Sequence, residues 1–208
     1  GEKHHGGLKK RSVDLDGEHL EQPSLKRTVE RARFAAVRGE RAGKAFYEQC
    51  QGIDRGYKCA KAKPRVMWYY DAEVGTCLAF EFLGCGGNEN KFTSEGECYG
   101  KCIPMDAGGC AFNRKSNGMI CKSRTSPENK ECPAGFTCAM GAFFGMCCNT
   151  EMQNLSLAES NPTCANGKKA YSDVSNGYPS VRIGASCSDK FCPANRKCVM
   201  GKVFAHCC

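Results

Sequence analysis

Bulky β-forming side chains alternate along residues 66–82, on both sides of a turn that contains Gly75. This segment, VMWYYDAEVGTCLAFEF, has the pattern of a twisted antiparallel hairpin. Farther along, TSEGECYGKC (93–102) opens with a Thr/Ser cap and an acidic residue, which predicts a short helix. No run of about 18 apolar residues occurs, so the sequence predicts no membrane span.

A basic arm, residues 1–49, precedes this pattern and contains no cysteine before Cys50. Val29, Ala32 and Ala36 have helical spacing, but glycines interrupt the segment, so we expect a frayed helix in a largely irregular, partly disordered arm. Lys9-Lys10-Arg11 leaves two interpretations open. It is either a processing site, with cleavage after Arg11, or a plain run of charge.

Cysteine dominates the remainder of the chain, with 18 cysteines among 208 residues. They fall into three groups of six, which predict modules at 50–102, 110–148 and 164–208, separated by linkers at 103–109 and 149–163. Modules of this size bury too little surface to fold without disulfides. Pairing on this scale needs an oxidising compartment, and the first residues lack the apolar core of a signal peptide. We therefore expect a mature chain that is secreted and extracellular.

The last two modules are repeats of each other. CPAGFTCAMGAFFGMCC (132–148) aligns without gaps with CPANRKCVMGKVFAHCC (192–208). This frame resembles the lustrin-type cysteine-rich repeat of secreted invertebrate matrix and cuticle proteins, of a nematode-like kind. Whey-acidic-protein antiprotease modules also carry a tandem cysteine, but they use eight cysteines where these repeats use six. The disulfide pairing within the repeats stays open at this point.

Nothing in the sequence predicts a metal site, a cofactor or an enzyme. The cysteine spacing of the repeats differs from that of zinc sites, and the only histidine in either repeat is His206. The other histidines lie at positions 4, 5 and 19, outside any G-x-S-x-G or H-E-x-x-H frame.

The first module, residues 50–102, combines its cysteine spacing with a set of characteristic positions: Phe80, Phe82, Gly84-Cys85-Gly86-Gly87-Asn88, Asn90, Phe92, Cys98 and Cys102. In these positions and in this spacing it closely resembles the Kunitz/BPTI family. The resemblance implies a small disulfide-rich α+β fold, with a twisted hairpin and a short C-terminal helix. It also implies the disulfides Cys50–Cys102, Cys59–Cys85 and Cys77–Cys98.

The same resemblance implies an inhibitor of serine proteases that binds as a substrate mimic. The implied protease-binding loop comprises Lys58, Cys59, Ala60, Lys61, Ala62 and Lys63. Ala60 would then be the primary specificity residue, and a small side chain there favours an elastase-like pocket. Preorganisation of such a loop raises affinity, because little ordering entropy is lost on binding.

The loop departs from the family pattern in three ways. Two residues are inserted between Cys59 and Cys77, and Tyr57 and Leu83 stand where the family usually has glycine. We expect bulky side chains there to reshape the loop. If the insertion directly follows Cys59, Lys61-Ala62 resembles a trypsin-directed site.

Two functions remain open from the sequence. The first is a secreted Kunitz-type inhibitor or modulator of a trypsin- or elastase-like serine protease, with an atypical reactive loop. The alternative is a non-inhibitory structural or interaction protein of a cuticle-like extracellular matrix. The net charge of +8 fits sulfated glycans or acidic matrix components better than nucleic acid, which an extracellular chain rarely meets. A Kunitz-type ligand of a receptor or channel has no positive support in the sequence.

One usable glycosylation sequon, Asn154-Leu155-Ser156, lies in the predicted linker between the repeats. We expect Asn154 to carry glycan in a secretory host.

Overall fold

The structure is a computed structural model, and it describes residues 49–103, 109–123, 130–175 and 177–208. All of them belong to one compact unit, Glu40–Cys208. The predicted basic arm with its frayed helix, and the processing site after Arg11, lie outside the described residues. Among the described helices, none is long and apolar enough to cross a membrane.

The predicted hairpin consists of strands β2 (Arg65–Asp71) and β3 (Thr76–Phe82), which pair antiparallel along their whole length. Gly75 supplies the turn with a φ of 69°, and its N–H donates to the carbonyl of Asp71 at 2.8 Å. Two shorter strands, β1 (Tyr57–Lys58) and β4 (Gly84–Cys85), form a second antiparallel pair. This small pair carries the loop that precedes β2.

Helix α1 (Glu95–Cys102) begins where the sequence predicts a helix. The side chain of Ser94 accepts a hydrogen bond from the Glu97 N–H at 3.1 Å, and the Glu97 carboxylate accepts one from the Thr93 N–H at 2.9 Å. The first bond satisfies a backbone donor that the first helical turn leaves free, and the second fixes the residue that precedes the cap. The helix brings two half-cystines, Cys98 and Cys102, under the hairpin, where both are buried.

Asn90 ties the segment after β4 to the hairpin. Its side chain is 1 % exposed; it accepts from the Tyr70 N–H at 2.8 Å and donates to the carbonyls of Tyr70 and Gly52 at 2.9 and 2.8 Å. A buried amide is tolerated only when its polar atoms are paired, so this network fixes the segment in one position.

Each repeat forms its own three-stranded sheet, and the two sheets have the same strand order. In the first repeat, β5 (Ile120–Ser123), β6 (Phe136–Met140) and β7 (Phe144–Asn149) have the order β5-β7-β6. The second repeat adds a hairpin, β8 (Ser172–Ser175) and β9 (Tyr178–Val181). Its sheet then has the order β10-β12-β11, built from β10 (Ile183–Gly184), β11 (Cys198–Met200) and β12 (Ala205–Cys207).

The disulfide pattern, which the sequence left open, is also the same in both repeats. The first cysteine pairs with the sixth, the second with the fourth and the third with the fifth. The six bonds are Cys110–Cys148, Cys121–Cys138, Cys132–Cys147, Cys164–Cys208, Cys187–Cys198 and Cys192–Cys207. Identical pairing on identical topology shows that the sequence repeat is a structural repeat.

Helix α2 (Thr150–Ser160) occupies most of the segment that the sequence analysis treats as a linker. The helix contains no buried residue, so its sequence has no apolar face that would predict a helix. Instead, the Asn149 side chain caps its first turn by accepting from the Met152 N–H at 3.0 Å. Gln153 accepts from the Ala111 N–H at 2.7 Å, which anchors the helix to the first repeat.

The second repeat packs directly against the hairpin of residues 65–82. Ile183 and Phe204 complete an apolar cluster on one face of β2 and β3, formed with Met67, Tyr69, Leu78, Phe80 and Phe82. Phe191 and Ala205 join the cluster on the other face, which includes Trp68 and Ala79. Burying a side chain of this size contributes about 1.5–3 kcal/mol. Residues 50–102 and 164–208 therefore share a core.

Arg182 strengthens this contact from the second repeat. Its guanidinium lies 5.6 Å from the ring centre of Trp68 and 4.9 Å from that of Tyr171. The same group is paired with Asp173 and donates to the carbonyl of Phe191 at 2.9 Å. The cation is therefore held between two aromatic rings by fixed hydrogen bonds.

Candidate functional site

The base of the candidate loop, residues 58–63, is fixed on both strands of the small β1/β4 pair. Lys58 lies opposite Gly84, and Tyr57 lies opposite Cys85. The disulfide Cys59–Cys85 closes the base, with 6.0 Å between the Cα atoms. The Leu83 N–H donates to the carbonyl of Arg55 at 2.9 Å, which extends the pairing by one more contact. Both ends of the loop are thus attached to regular structure.

The tip of the loop is a tight turn. Cys59 and Ala62 form an isolated antiparallel bridge, and Ala60 and Lys61 make the turn between them. The chain therefore doubles back directly after Cys59 before it enters β2. The turn lies within the segment between Cys59 and Cys77, where the chain is two residues longer than the family pattern.

Gly84 permits this turn because the chain passes very close to it. Its φ is 120°, and a Cβ atom there would lie 2.5 Å from the carbonyl oxygen of Ala62. Gly56 has a similar role below the loop, where a Cβ atom would lie 2.1 Å from the carbonyl oxygen of Cys85. Sequence reasoning did not assign a role to either glycine, although both lie within two or three residues of the bonded cysteines.

The two positions where the family usually has glycine behave differently. Tyr57 is 63 % exposed, and its ring lies beside Gly86, where a Cβ atom would come within 2.8 Å of it. Leu83 is half-buried next to Gly84. The large ring thus lies over a glycine and points outward, so it does not fill the space beneath the loop.

The loop presents mainly cations to solvent. Lys58, Ala60, Lys61 and Lys63 are exposed, whereas Cys59 and Ala62 are half-buried. Arg65, at the start of β2, is also exposed, and its guanidinium lies 5.6 Å from the ring centre of Phe82. Four cationic side chains within eight residues create a positive surface, which attracts anionic groups on a partner.

The remaining residues named from the sequence lie elsewhere. The structure contains the disulfides Cys50–Cys102 and Cys77–Cys98, both in the core beneath the hairpin and α1, so all three bonds implied by the resemblance are present in it. Asn154 lies on helix α2 and is exposed. The sulfurs of Cys121, Cys132 and Cys138 lie within 4.8 Å of one another, but each belongs to a disulfide and offers no thiolate to a metal.

The hairpin, the helix α1, the three disulfides of residues 50–102 and a disulfide-anchored loop define a small disulfide-rich protein with a Kunitz domain. The family model of the Kunitz/Bovine pancreatic trypsin inhibitor domain matches residues 48–103. The chain is also 39 % identical to the Major allergen Ani s 1 of Anisakis simplex, an alignment that covers 80 % of this chain and 89 % of the relative. The chain therefore belongs to the Kunitz/BPTI domain family.

Two further relatives support this membership. A BPTI/Kunitz inhibitor domain-containing protein of Caenorhabditis elegans is 34 % identical, over 74 % of this chain and 84 % of that protein. The Kunitz-type serine protease inhibitor A of Rhipicephalus microplus is 32 % identical, over 36 % of this chain and 73 % of that protein. Kunitz inhibitors bind serine proteases and are typically not enzymes. The two longer alignments extend well beyond residues 48–103, so the likeness includes part of the chain outside the Kunitz domain.

Proposed function

We propose that the chain is a secreted Kunitz-type inhibitor of trypsin-like serine proteases and that Lys61 enters the specificity pocket. The observation that carries this proposal is the turn at Ala60 and Lys61, which places an exposed lysine at the tip of a loop anchored by Cys59–Cys85. A cation pairs well with the aspartate at the bottom of a trypsin-like pocket. The relatives named as protease inhibitors support the same activity.

Ala60 is the weaker candidate for that role. It directly follows the half-buried Cys59, and its methyl group is the shorter of the two side chains in the turn. Lys61 is one residue farther from the disulfide and carries the longer side chain. This arrangement favours a trypsin-like over an elastase-like target.

Secretion is supported by the disulfide content. The structure pairs all eighteen cysteines in nine disulfides, a content typical of proteins in oxidising compartments. The protein would then meet its target protease outside the cell.

The deciding experiment measures inhibition constants of the full chain against trypsin and elastase. Lys61→Ala should weaken trypsin inhibition at least about 100-fold, equivalent to about 2.7 kcal/mol, because the pocket loses its cation. Lys63→Ala is the matched control, since it removes an exposed lysine beyond the turn, and it should change the constant less than about threefold. If Ala60→Arg creates strong trypsin inhibition while Lys61→Ala has no effect, Ala60 occupies the pocket instead.

One observation favours the alternative function, a structural or interaction protein of an extracellular matrix. The chain doubles back at Ala60 and Lys61, whereas a protease that binds a substrate mimic needs an extended backbone. We propose for this case that the two repeats are lustrin-type modules that contact matrix components. Their shared disulfide pattern supports a common repeat type. Rapid and complete trypsin cleavage within residues 60–65, without inhibition, would favour this function.

A further inference from the structure

Residues that align in the sequences of the two repeats occupy equivalent positions in their sheets. The contacts of a residue in the second repeat therefore indicate what its counterpart in the first repeat can bind. Ile120 lies opposite Met146 in the first repeat, and Ile183 lies opposite His206 in the second. Met146 and His206 are aligned in the sequence repeat, as are Phe144 and Phe204. The turns also match: the Gly141 N–H donates to the carbonyl of Phe144 at 2.8 Å, and Gly201 bonds Phe204 in the same way at 2.7 Å.

In the second repeat this face is covered. Ile183 and Phe204 are 7 % and 4 % exposed, because they pack on the apolar hairpin of the Kunitz domain. The turn beside them is covered too. The Glu159 carboxylate, at the end of α2, accepts hydrogen bonds from the N–H groups of Lys202 at 3.0 Å and of Val203 and Phe204 at 2.8 Å. The face thus binds an apolar surface and a carboxylate together.

In the first repeat the same face is exposed. Ile120 is 53 % exposed and Phe144 is 36 % exposed, and Phe143, which aligns with Val203, is 55 % exposed. Among the residues that the structure describes, nothing accepts a hydrogen bond from the N–H of Ala142 or Phe143. These are the amides that correspond to Lys202 and Val203.

We propose that this surface, the side chains of Ile120, Phe143 and Phe144 with the N–H groups of Ala142 and Phe143, is a docking face for another protein. Its partner presents a glutamate or aspartate side chain beside apolar residues. The second repeat supplies the template, since there the equivalent atoms bind a carboxylate from α2 and an apolar hairpin. Exposed apolar side chains beside unpaired amides are typical of an interaction surface.

The carboxylate on the partner determines the specificity of binding, and the apolar side chains of the docking face supply most of the affinity. Two adjacent N–H groups bind an acidic side chain much better than its amide, because a charged acceptor makes the stronger hydrogen bonds. Ile120, Phe143 and Phe144 bury area that does not depend on the charge. The proposal is independent of the protease-binding loop, which lies in the Kunitz domain.

The test uses the full chain labelled with ¹⁵N and a synthetic peptide of residues 155–161, LSLAESN, blocked at both ends. This peptide contains Glu159, whose carboxylate binds the turn of the second repeat, together with two leucines that supply apolar area. Titration should shift the amide signals of Ala142 and Phe143, with a dissociation constant on the order of 1 mM. The signals of Lys202 and Val203 should not move, because Glu159 already occupies those amides.

Three controls decide the outcome. The peptide with glutamine in place of glutamate should bind at least fivefold more weakly, and so should the Phe143→Ser protein to the original peptide. Val174→Ser, which replaces a side chain that is 77 % exposed in another hairpin, should leave binding unchanged. Equal binding of both peptides, or no shift at Ala142 and Phe143, overturns the proposal. A third outcome also overturns it: the chain binds no peptide but associates with itself, and Phe143→Ser abolishes that association. The occupant of the face is then a second copy of the chain.

Discussion

Arg55 and Asp189 form an ion pair that joins the Kunitz domain to the second repeat. The Asp189 side chain is only 4 % exposed, and its other oxygen accepts a hydrogen bond from the Ser186 N–H at 3.0 Å. The Arg55 side chain is 38 % exposed, and its guanidinium lies 5.9 Å from the ring centre of Phe80. A buried carboxylate in one segment thus depends on a cation from another.

Replacing Arg55 should therefore destabilise the whole protein. We expect Arg55→Ala to lower the free energy of unfolding by about 2–3 kcal/mol, because Asp189 would remain buried without its cation. Urea denaturation with the disulfides intact measures this. The double variant Arg55→Ala/Asp189→Asn should recover part of the loss, and additive losses would contradict the coupling.

Gly184 tests the packing of the second repeat on the hairpin. A Cβ atom at this position would lie 2.3 Å from the Phe191 ring and 2.9 Å from the carbonyl oxygen of Ala79. Gly184→Ala should cost about 1–3 kcal/mol through overpacking. Gly100→Ala, on α1 with no atom within 4 Å, is the control and should be neutral or slightly stabilising. A neutral Gly184→Ala would contradict the close packing of Gly184 against both Phe191 and Ala79.

Glu95 should make stability depend on pH in the direction opposite to most carboxylates. Burial raises the pKa of its side chain, Asp173 raises it further, and a hydrogen bond with Ser180 lowers it. The raised pKa favours the protonated form in the folded state. Its contribution to stability is fully present below the ordinary pKa of about 4.3 and is lost as the pH rises through the raised value.

Glu95→Gln isolates this effect. The unfolding free energy of the parent, minus that of the variant, should be larger at a pH of about 3.5 than at about 7. Denaturation curves of both proteins at the two pH values provide the comparison. An unchanged or reversed difference would show that Glu95 titrates normally or with a lowered pKa.

Gly84→Ala should loosen the loop that carries Lys61. The substitution places a Cβ atom against the Ala62 carbonyl and forces an L side chain into a φ of 120°. We expect trypsin to cleave the Lys61–Ala62 bond several-fold faster than in the parent protein. Mass spectrometry of the reduced protein measures the rate of cleavage. Gly52→Ala also has a positive φ, of 66°, but meets no atom within 4 Å, so it controls for backbone strain alone. Equal cleavage of the two variants would argue against the close approach at Gly84.

Asn154 should carry glycan when a secretory host makes the protein. Its side chain is exposed on α2, within an Asn-Leu-Ser sequon. Intact mass before and after glycosidase treatment gives the answer, with Asn154→Gln as the control. An unmodified mass from the secretory host would refute this prediction.

The hairpin and α1 could be predicted from sequence because their signals are local. Strands β2 and β3 follow the alternation of residues 66–82, and Ser94 with Glu97 marks the start of the helix. The two extra residues between Cys59 and Cys77 were also visible as a spacing, but the turn directly after Cys59 is seen only in the structure. The spacing between two cysteines gives the number of residues in the loop but not the position of the turn within it.

The contact between the Kunitz domain and the second repeat had no such local signal. Ile183 and Phe204 lie in short segments with no regular apolar period, and nothing in their spacing indicates Tyr69 or Leu78 as partners. Helix α2 was missed for a related reason. Its contacts with the repeats come from Gln153 and Glu159, two polar side chains that accept hydrogen bonds from backbone N–H groups far away in the sequence.

The shared core limits how this Kunitz domain can be recombined. A domain that folds independently in different proteins must have a polar surface on every side. Here Met67, Leu78 and Phe80 complete their packing with Ile183 and Phe204 from the second repeat. Residues 50–102 transplanted alone would expose that apolar face, so the Kunitz domain relies on the second repeat for part of its packing.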